Sequence, residues 1–128
     1  MSPSQNPYAT HPVNLLQKID LIDQQWSPRV VAQMNDYQFK VVRIEGEFIC
    51  HSHPETDEAF IVLEGILRID LPERSVHVAA GELYVVPKGV KHRTAAEGEA
   101  KLMMIEPQGV LNTGQEGGER TALNDVWI

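Results

Sequence analysis

The sequence contains few of the features that mark several large protein classes. Cys50 is the only cysteine among 128 residues, so no internal disulfide is expected. Aromatic residues make up 6% of the chain, and no apolar run approaches the roughly 20 residues that span a bilayer. Lysine and arginine number 11 against 18 acidic residues, which gives a net charge of −7. This shortage of positive charge argues against nucleic acid or an anionic membrane as a partner.

The length and composition indicate a single globular domain. A chain of 128 residues with 42% hydrophobic and 23% charged residues is long enough to bury a core. Residues 1–11 are polar and lack the basic and apolar regions of a signal peptide. We therefore expect a cytoplasmic protein. Cys50 is expected to be a packed thiol that faces away from the neighbouring His51.

The chain divides into three segments by composition. Residues 1–27 form a proline-containing lead-in and a short helix, in which Asn14 is the candidate N-cap and Leu15, Ile19 and Ile22 have helical spacing. Residues 28–107 carry the β-rich runs. Residues 108–128 read as a glycine-rich loop or tail whose last apolar residues dock.

The middle segment alternates short β-rich runs with glycine and proline. Asn35 and Asp36 suit a hairpin turn between the first two runs. Residues 60–63 and 102–105 are apolar on both faces, which predicts that a second sheet or a partner subunit covers the outer face. The pattern predicts an all-β sandwich or barrel. The predicted strands are residues 29–34, 38–45, 58–63, 66–71, 75–79, 83–86, 92–95 and 101–106.

This segment also contains residues that could bind a metal ion. On a strand, His51 and His53 point to the same face because residues two apart share a face. Two carboxylates, Asp57 and Glu58, follow, and His92 comes later in the chain. Three imidazoles and one carboxylate suit a first-row transition metal.

The order and spacing of these residues resemble the two signature motifs of the cupin superfamily. The first motif fits from His51 through His53 and Glu58 to Gly65, and its leading glycine is one residue closer to the first histidine than usual. The second motif fits at the glycines, proline and histidine, and Ala96 replaces a frequent asparagine. The residues that carry the second motif are Gly81, Pro87, Gly89 and His92.

The resemblance implies a cupin-type double-stranded β-helix, a jelly-roll barrel, that holds one divalent metal. It assigns His51, His53, Glu58 and His92 as ligands, and it selects Glu58 over Asp57, which would then be exposed or support the site from outside. Mn, Fe, Co, Ni, Cu and Zn all accept these ligands. The alternative is a cupin scaffold that retains the residues without holding metal. The resemblance also implies a homodimer, a form common among small cupins.

The expected function is a small metal-dependent enzyme acting on a small organic substrate, either anionic or uncharged. The alternative is a non-catalytic module that binds or senses a small ligand. His11 and His77 are interpreted as surface residues, and Trp26 and Phe48 as core residues. Two further groups have uncertain roles. Lys88, Lys91 and Arg93 are either a solvated loop, which we favour, or a basic entrance that attracts an anionic small molecule. Tyr84 and Arg43 are candidates to supply a proton or a hydrogen bond to a substrate, but strand parity does not decide whether either faces the cavity.

Overall fold

The computed structural model describes residues 10–114, 116–123 and 125–128, which form a single short helix and seven antiparallel strands. The predicted all-β fold and the short N-terminal helix are therefore confirmed. Residues 1–9 of the predicted lead-in lie outside the described residues. Within the described residues, no helix is long and apolar enough to cross a membrane. The elements are α1 Leu15–Asp20, β1 Arg29–Met34, β2 Tyr37–Glu47, β3 Glu58–Glu64, β4 Ile66–Asp70, β5 Ser75–Ala79, β6 Leu83–Val86 and β7 Arg93–Pro107.

The helix α1 forms where the sequence places its cap and its apolar face. The side chain of Asn14 accepts a hydrogen bond of 3.0 Å from the backbone N–H of Gln17, as an N-cap does. Ile19 is fully buried and packs with Ile22 against β1 and β2. The helix thus covers part of the outer face of the sheet, which explains why strands there are apolar on both sides.

The strand β7 organises the sheet because it pairs along its length with three other strands. The sequence predicts two strands, at 92–95 and 101–106, but the structure has one strand of 15 residues, so the predicted break is wrong. Gly98 adopts φ +72° within this strand, so it bends without ending. The first part of β7 pairs with β4, the last part with β3, and β2 runs beside both parts.

A single residue, Gly65, carries the chain from β3 to β4 at the corner of the barrel. Its φ of +80° lies in the left-handed region, and an added Cβ would lie 2.7 Å from the carbonyl oxygen of Glu99 and 3.0 Å from Cα of Ala100. The corner is therefore packed directly against the middle of β7. Only glycine fits both the backbone conformation and the space.

The barrel interior contains the main hydrophobic core, with residues from β2 to β7. At one end of this core lies a buried ion pair: Nζ of Lys40 is 3.1 Å from Oε1 of Glu106, and both side chains are nearly inaccessible. Lys40 also donates to the carbonyl of Val110, at 3.3 Å. These contacts offset part of the cost of burying the two polar side chains.

The C-terminal segment packs on the barrel. Trp127 forms a parallel bridge with Val30, and Nζ of Lys18 donates to the carbonyl of Ile128 at 3.1 Å. Before these residues, Thr113 is fully buried although it belongs to no strand or helix. The loop that the sequence indicates after residue 107 thus covers one end of the barrel.

Substitution of Gly65 tests the packed corner. We expect Gly65→Ala to lower the free energy of unfolding by about 2–4 kcal/mol, because the methyl group meets backbone atoms and the left-handed conformation is itself unfavourable. Gly81 is the matched control, since its φ is +85° and an added Cβ meets nothing within 4 Å. Gly81→Ala should cost only about 1–2 kcal/mol. Urea denaturation of the two metal-free variants measures the difference, and equal losses would contradict the packed corner.

Candidate metal centre

Backbone pairing brings His51 and His92 side by side although they are far apart in the sequence. The backbone N–H of His51 donates to the carbonyl of His92 at 2.9 Å, and the N–H of His92 donates to the carbonyl of His51 at 2.8 Å. The centroids of the two imidazole rings are 4.5 Å apart. Two reciprocal hydrogen bonds therefore fix this pair of side chains.

His53 and Glu58 complete the group from the loop and strand that follow. The carbonyl of His53 accepts from the N–H of Gly89, at 2.9 Å, which ties the loop to the turn before His92. Glu58 is the first residue of β3 and pairs with Val86. One ligand atom from each of the four residues, His51, His53, Glu58 and His92, lies within 4.8 Å of the other three, and all four side chains are buried.

Three of these buried atoms have no hydrogen-bond partner in the described part of the chain. They are Nε2 of His53, Nε2 of His92 and Oε1 of Glu58. The carboxylate oxygen lies 3.3 Å from each of the two nitrogens, in a geometry that forms no hydrogen bond. Buried polar atoms without partners are rare in proteins, and a cation among them would satisfy all three at once. The residues present therefore fit a metal ion.

Backbone carbonyls orient two of the imidazoles. Nδ1 of His51 is 3.0 Å from the carbonyl of Ile49, and Nδ1 of His92 is 3.0 Å from that of Val90. Since a carbonyl only accepts, Nδ1 carries the proton and Nε2 presents its lone pair toward the other ligands. Such an arrangement is typical of metal-binding histidines.

Burial and neighbouring groups shift the pKa of two residues in the cluster, His51 and Glu58. Burial lowers the pKa of His51 to about 4, so this imidazole is neutral at pH 7 and available to bind a cation. Burial opposes ionisation of Glu58, but its contacts with His53 and His92 hold the pKa of this carboxyl well below its usual range. Burial and the charge of Glu58 raise the pKa of the nearby Glu106 carboxyl. At pH 7 the cluster thus presents the neutral imidazole of His51 beside the carboxylate of Glu58.

The backbone around the first two histidines differs from the prediction. His51 forms only an isolated bridge, and His53 lies in no strand. The expected alternation also fails, because Ser52 is buried between them. The C-terminal loop explains this burial: an added Cβ on Gly114 would collide with the carbonyl oxygen of Ser52 and lie 3.3 Å from Cδ2 of His51.

The two carboxylates separate as expected. Asp57 is exposed, and its Oδ1 accepts from the backbone N–H of Lys88 at 2.9 Å. Asp57 therefore supports the turn that precedes His92, whereas Glu58 points into the cluster. The prediction that Cys50 is a packed thiol is wrong, because Cys50 is exposed.

An apolar cavity opens beside the cluster. His51 and Glu58 form part of its wall. Trp26 and Phe48, interpreted from the sequence as core residues, also line it, with their rings stacked at a centroid distance of 4.8 Å. The cavity gives a small molecule access to the cluster.

Other candidate residues point elsewhere. Arg93 pairs with Asp70 at 3.0 Å, and Arg43 pairs with Glu99 at 2.8 Å. Tyr84 packs against the core. None of these residues is among the described residues that line the cavity, and neither is Lys88 or Lys91. Lys88, Lys91, His11 and His77 are exposed.

Sequence reasoning missed the polar residues that surround the cluster. Strand parity contains a signal for two of them, because residues two apart on a strand share a face. Lys40 therefore shares the inward face of Val42, and Glu106 shares that of Met104. For Asn112, which also lines the cavity, the sequence contains no comparable signal, since it follows the last strand.

Comparisons with known proteins agree with this geometry. The cupin domain profile matches residues 40–106. The uncharacterized protein YdbB of Bacillus subtilis is 35% identical over 82 residues, which cover 63% of this chain and 73% of YdbB.

Two solved structures are similar over most of their length. A cupin-2 domain containing protein from Shewanella frigidimarina is 53% identical, with a TM-score of 0.74 over 75% of this chain and 94% of that protein. Protein NMB1881 from Neisseria meningitidis is 31% identical, with a TM-score of 0.70 over 76% of this chain and 99% of that protein. The profile match and the fold confirm the resemblance, and the chain belongs to the cupin domain family.

Proposed function

We propose that His51, His53, Glu58 and His92 bind one divalent transition metal and that the protein is a small metal-dependent enzyme. The observation that supports this most strongly is the convergence of four buried ligand atoms within 4.8 Å, three of them without hydrogen-bond partners in the described residues. When bound, a divalent ion supplies Lewis-acid polarisation of an oxygen ligand. Mn, Fe, Co, Ni, Cu and Zn all suit this ligand set.

The chain's own residues supply the remaining requirements of a reactive site. His51 and Glu58 face the cavity, so a small organic substrate can reach the ligand cluster from that side. The carbonyls of Ile49 and Val90 fix the orientation of two imidazoles. The apolar wall keeps bulk water away from the cluster, which strengthens electrostatic interactions there.

Substitution of two proposed ligands, with substitution of a histidine outside the cluster as a control, tests the metal site. We expect protein purified without added metal, or reloaded after chelation, to contain about one transition-metal ion per chain. His51→Ala and His92→Ala should each weaken metal binding by about a hundredfold, because each removes a ligand from a buried site. Elemental analysis and competition with a chelator measure content and affinity.

The matched control for these variants is His77→Ala, since His77 is exposed on β5. It should retain the metal content and affinity of the unaltered protein. Equal metal affinity in His77→Ala and His92→Ala would contradict the proposal, and so would a wild-type protein that binds no ion even when metal is supplied.

Turnover separates an enzyme from a binding module. We expect the metal-loaded protein to convert a member of a panel of small hydroxy acids, keto acids and phenols, with loss of activity in His92→Ala. A ligand that raises the melting temperature without forming product would instead favour the binding module.

We further propose that two copies associate through the uncovered part of the outer sheet face. Ile61, Leu83, Val85 and Ile105 lie on neighbouring strands, and Ile61 is paired with Leu83. Leu83 is 64% exposed and Val85 is 44% exposed. The helix α1 covers only the adjoining part of this face, so a second copy with the same surface would bury the remainder.

Sedimentation equilibrium tests this association. We expect a mass twice that of the 14.4 kDa chain for the unaltered protein and a shift toward the monomer for Leu83→Lys, which places a charge in the proposed interface. Ile66→Lys is the control, because Ile66 is 56% exposed but begins β4. A 14.4 kDa species alone, or equal effects of the two variants, would contradict the proposed interface.

A further inference from the structure

Most of the wall of the cavity beside the cluster is apolar. Trp26, Phe48 and Phe60 provide aromatic surface, and aliphatic side chains of β2 and β7 provide most of the rest. The polar groups are the two cluster residues, His51 and Glu58, together with Thr94 and Asn112. A molecule in this cavity therefore meets polar atoms mainly at its cluster end.

Both polar groups of the Asn112 side chain already form hydrogen bonds within the protein. Its amide nitrogen donates to the carbonyl of Arg120 at 3.0 Å, and its amide oxygen accepts from the N–H of Ala122 at 2.9 Å. These bonds hold the C-terminal segment in place. Among the described residues of the wall, Thr94 thus supplies the only side-chain hydroxyl, and a polyhydroxylated ligand would leave most of its hydroxyls without partners.

The aromatic side of the wall is held in an unusual conformation. Trp26 has φ +60°, a region that bulky residues rarely adopt. Its backbone N–H donates to the carbonyl of Arg43 at 3.0 Å, and its indole N–H donates to the carbonyl of Glu45 at 3.1 Å. The ring stacks on Phe48, whose ring in turn contacts His51 edge-on at a centroid distance of 5.7 Å. The surrounding contacts therefore maintain a strained backbone that presents the indole at the cavity wall.

We propose that the ligand of this site is a small aromatic molecule that binds the metal through one or two oxygen atoms and lies against Trp26 and Phe48. The inference rests on the proposed metal site and adds the substrate class. A flat ring complements the stacked aromatic wall and needs no hydrogen bonds from it. The oxygen donors meet the polar end, where His51 and Glu58 line the cavity.

A matched series of hydroxamates tests the substrate class, because its members carry the same metal-binding group attached to different organic groups. The series is benzohydroxamate, acetohydroxamate and the sugar-like gluconohydroxamate. We expect the cobalt-loaded protein to bind benzohydroxamate at least about tenfold more tightly than either of the others, since only the phenyl ring has a flat apolar face that can pack against the aromatic wall. Calorimetry measures affinity, and a change in the visible absorption of cobalt shows that the ligand reaches the ion.

Substitution of Trp26 tests whether the aromatic wall causes the preference for benzohydroxamate. Trp26→Gly removes the ring and suits the positive φ, so it should bind cobalt normally and lose most of the preference for benzohydroxamate. Trp127→Phe is the control, since Trp127 packs beside β1 and should leave the preference unchanged. If Trp26→Gly does not fold, the preference of the unaltered protein decides by itself.

The outcomes separate the two proposals. Cobalt binding without a preference for benzohydroxamate, or with a preference for gluconohydroxamate, would overturn the substrate class and leave the metal site intact. Failure to bind cobalt would overturn the metal site and the substrate class together. A preference that survives unchanged in a folded Trp26→Gly would also overturn the role of the aromatic wall.

Discussion

The burial of the Glu58 carboxylate among imidazoles is the constraint on which the site depends. An isolated charge inside a barrel is very unfavourable unless opposite charge or hydrogen bonds compensate it. Here Oε1 of Glu58 lies 3.3 Å from Nε2 of His53 and of His92 without hydrogen bonding to either. A divalent ion would resolve this arrangement, because it would balance the charge and take the lone pairs that point inward.

The cluster forms only in the folded chain, because its four residues come from separate parts of the sequence. β7 pairs with β2, β3 and β4, and its pairing with β3 places the first residue of that strand, Glu58, beside the end of β7. On its other side Glu58 pairs with Val86, a few residues before His92. The reciprocal bonds between His51 and His92 then close the barrel at the cluster. The C-terminal loop packs over the same end, through Gly114 against His51 and Ser52. The site is therefore a product of long-range pairing.

Local pattern and motif spacing were sufficient for the fold class, the helix, most strands and the group of four residues that converge. They failed where tertiary contacts override local rules. Gly98 reads as a strand break, but both flanks of β7 stay paired with β2. Ser52 should face outward by alternation, yet the C-terminal loop buries it. The positive φ of Trp26 has no sequence signal, because such residues are usually glycine or asparagine.

A crystal structure of the zinc-loaded protein, with an anomalous difference map at the zinc edge, tests the central claim most directly. The account predicts one strong peak inside the barrel, about 2.0–2.2 Å from one nitrogen of each of His51, His53 and His92 and from a carboxylate oxygen of Glu58. A peak elsewhere on the chain, or a cluster whose four side chains share no ion at full zinc loading, would contradict it.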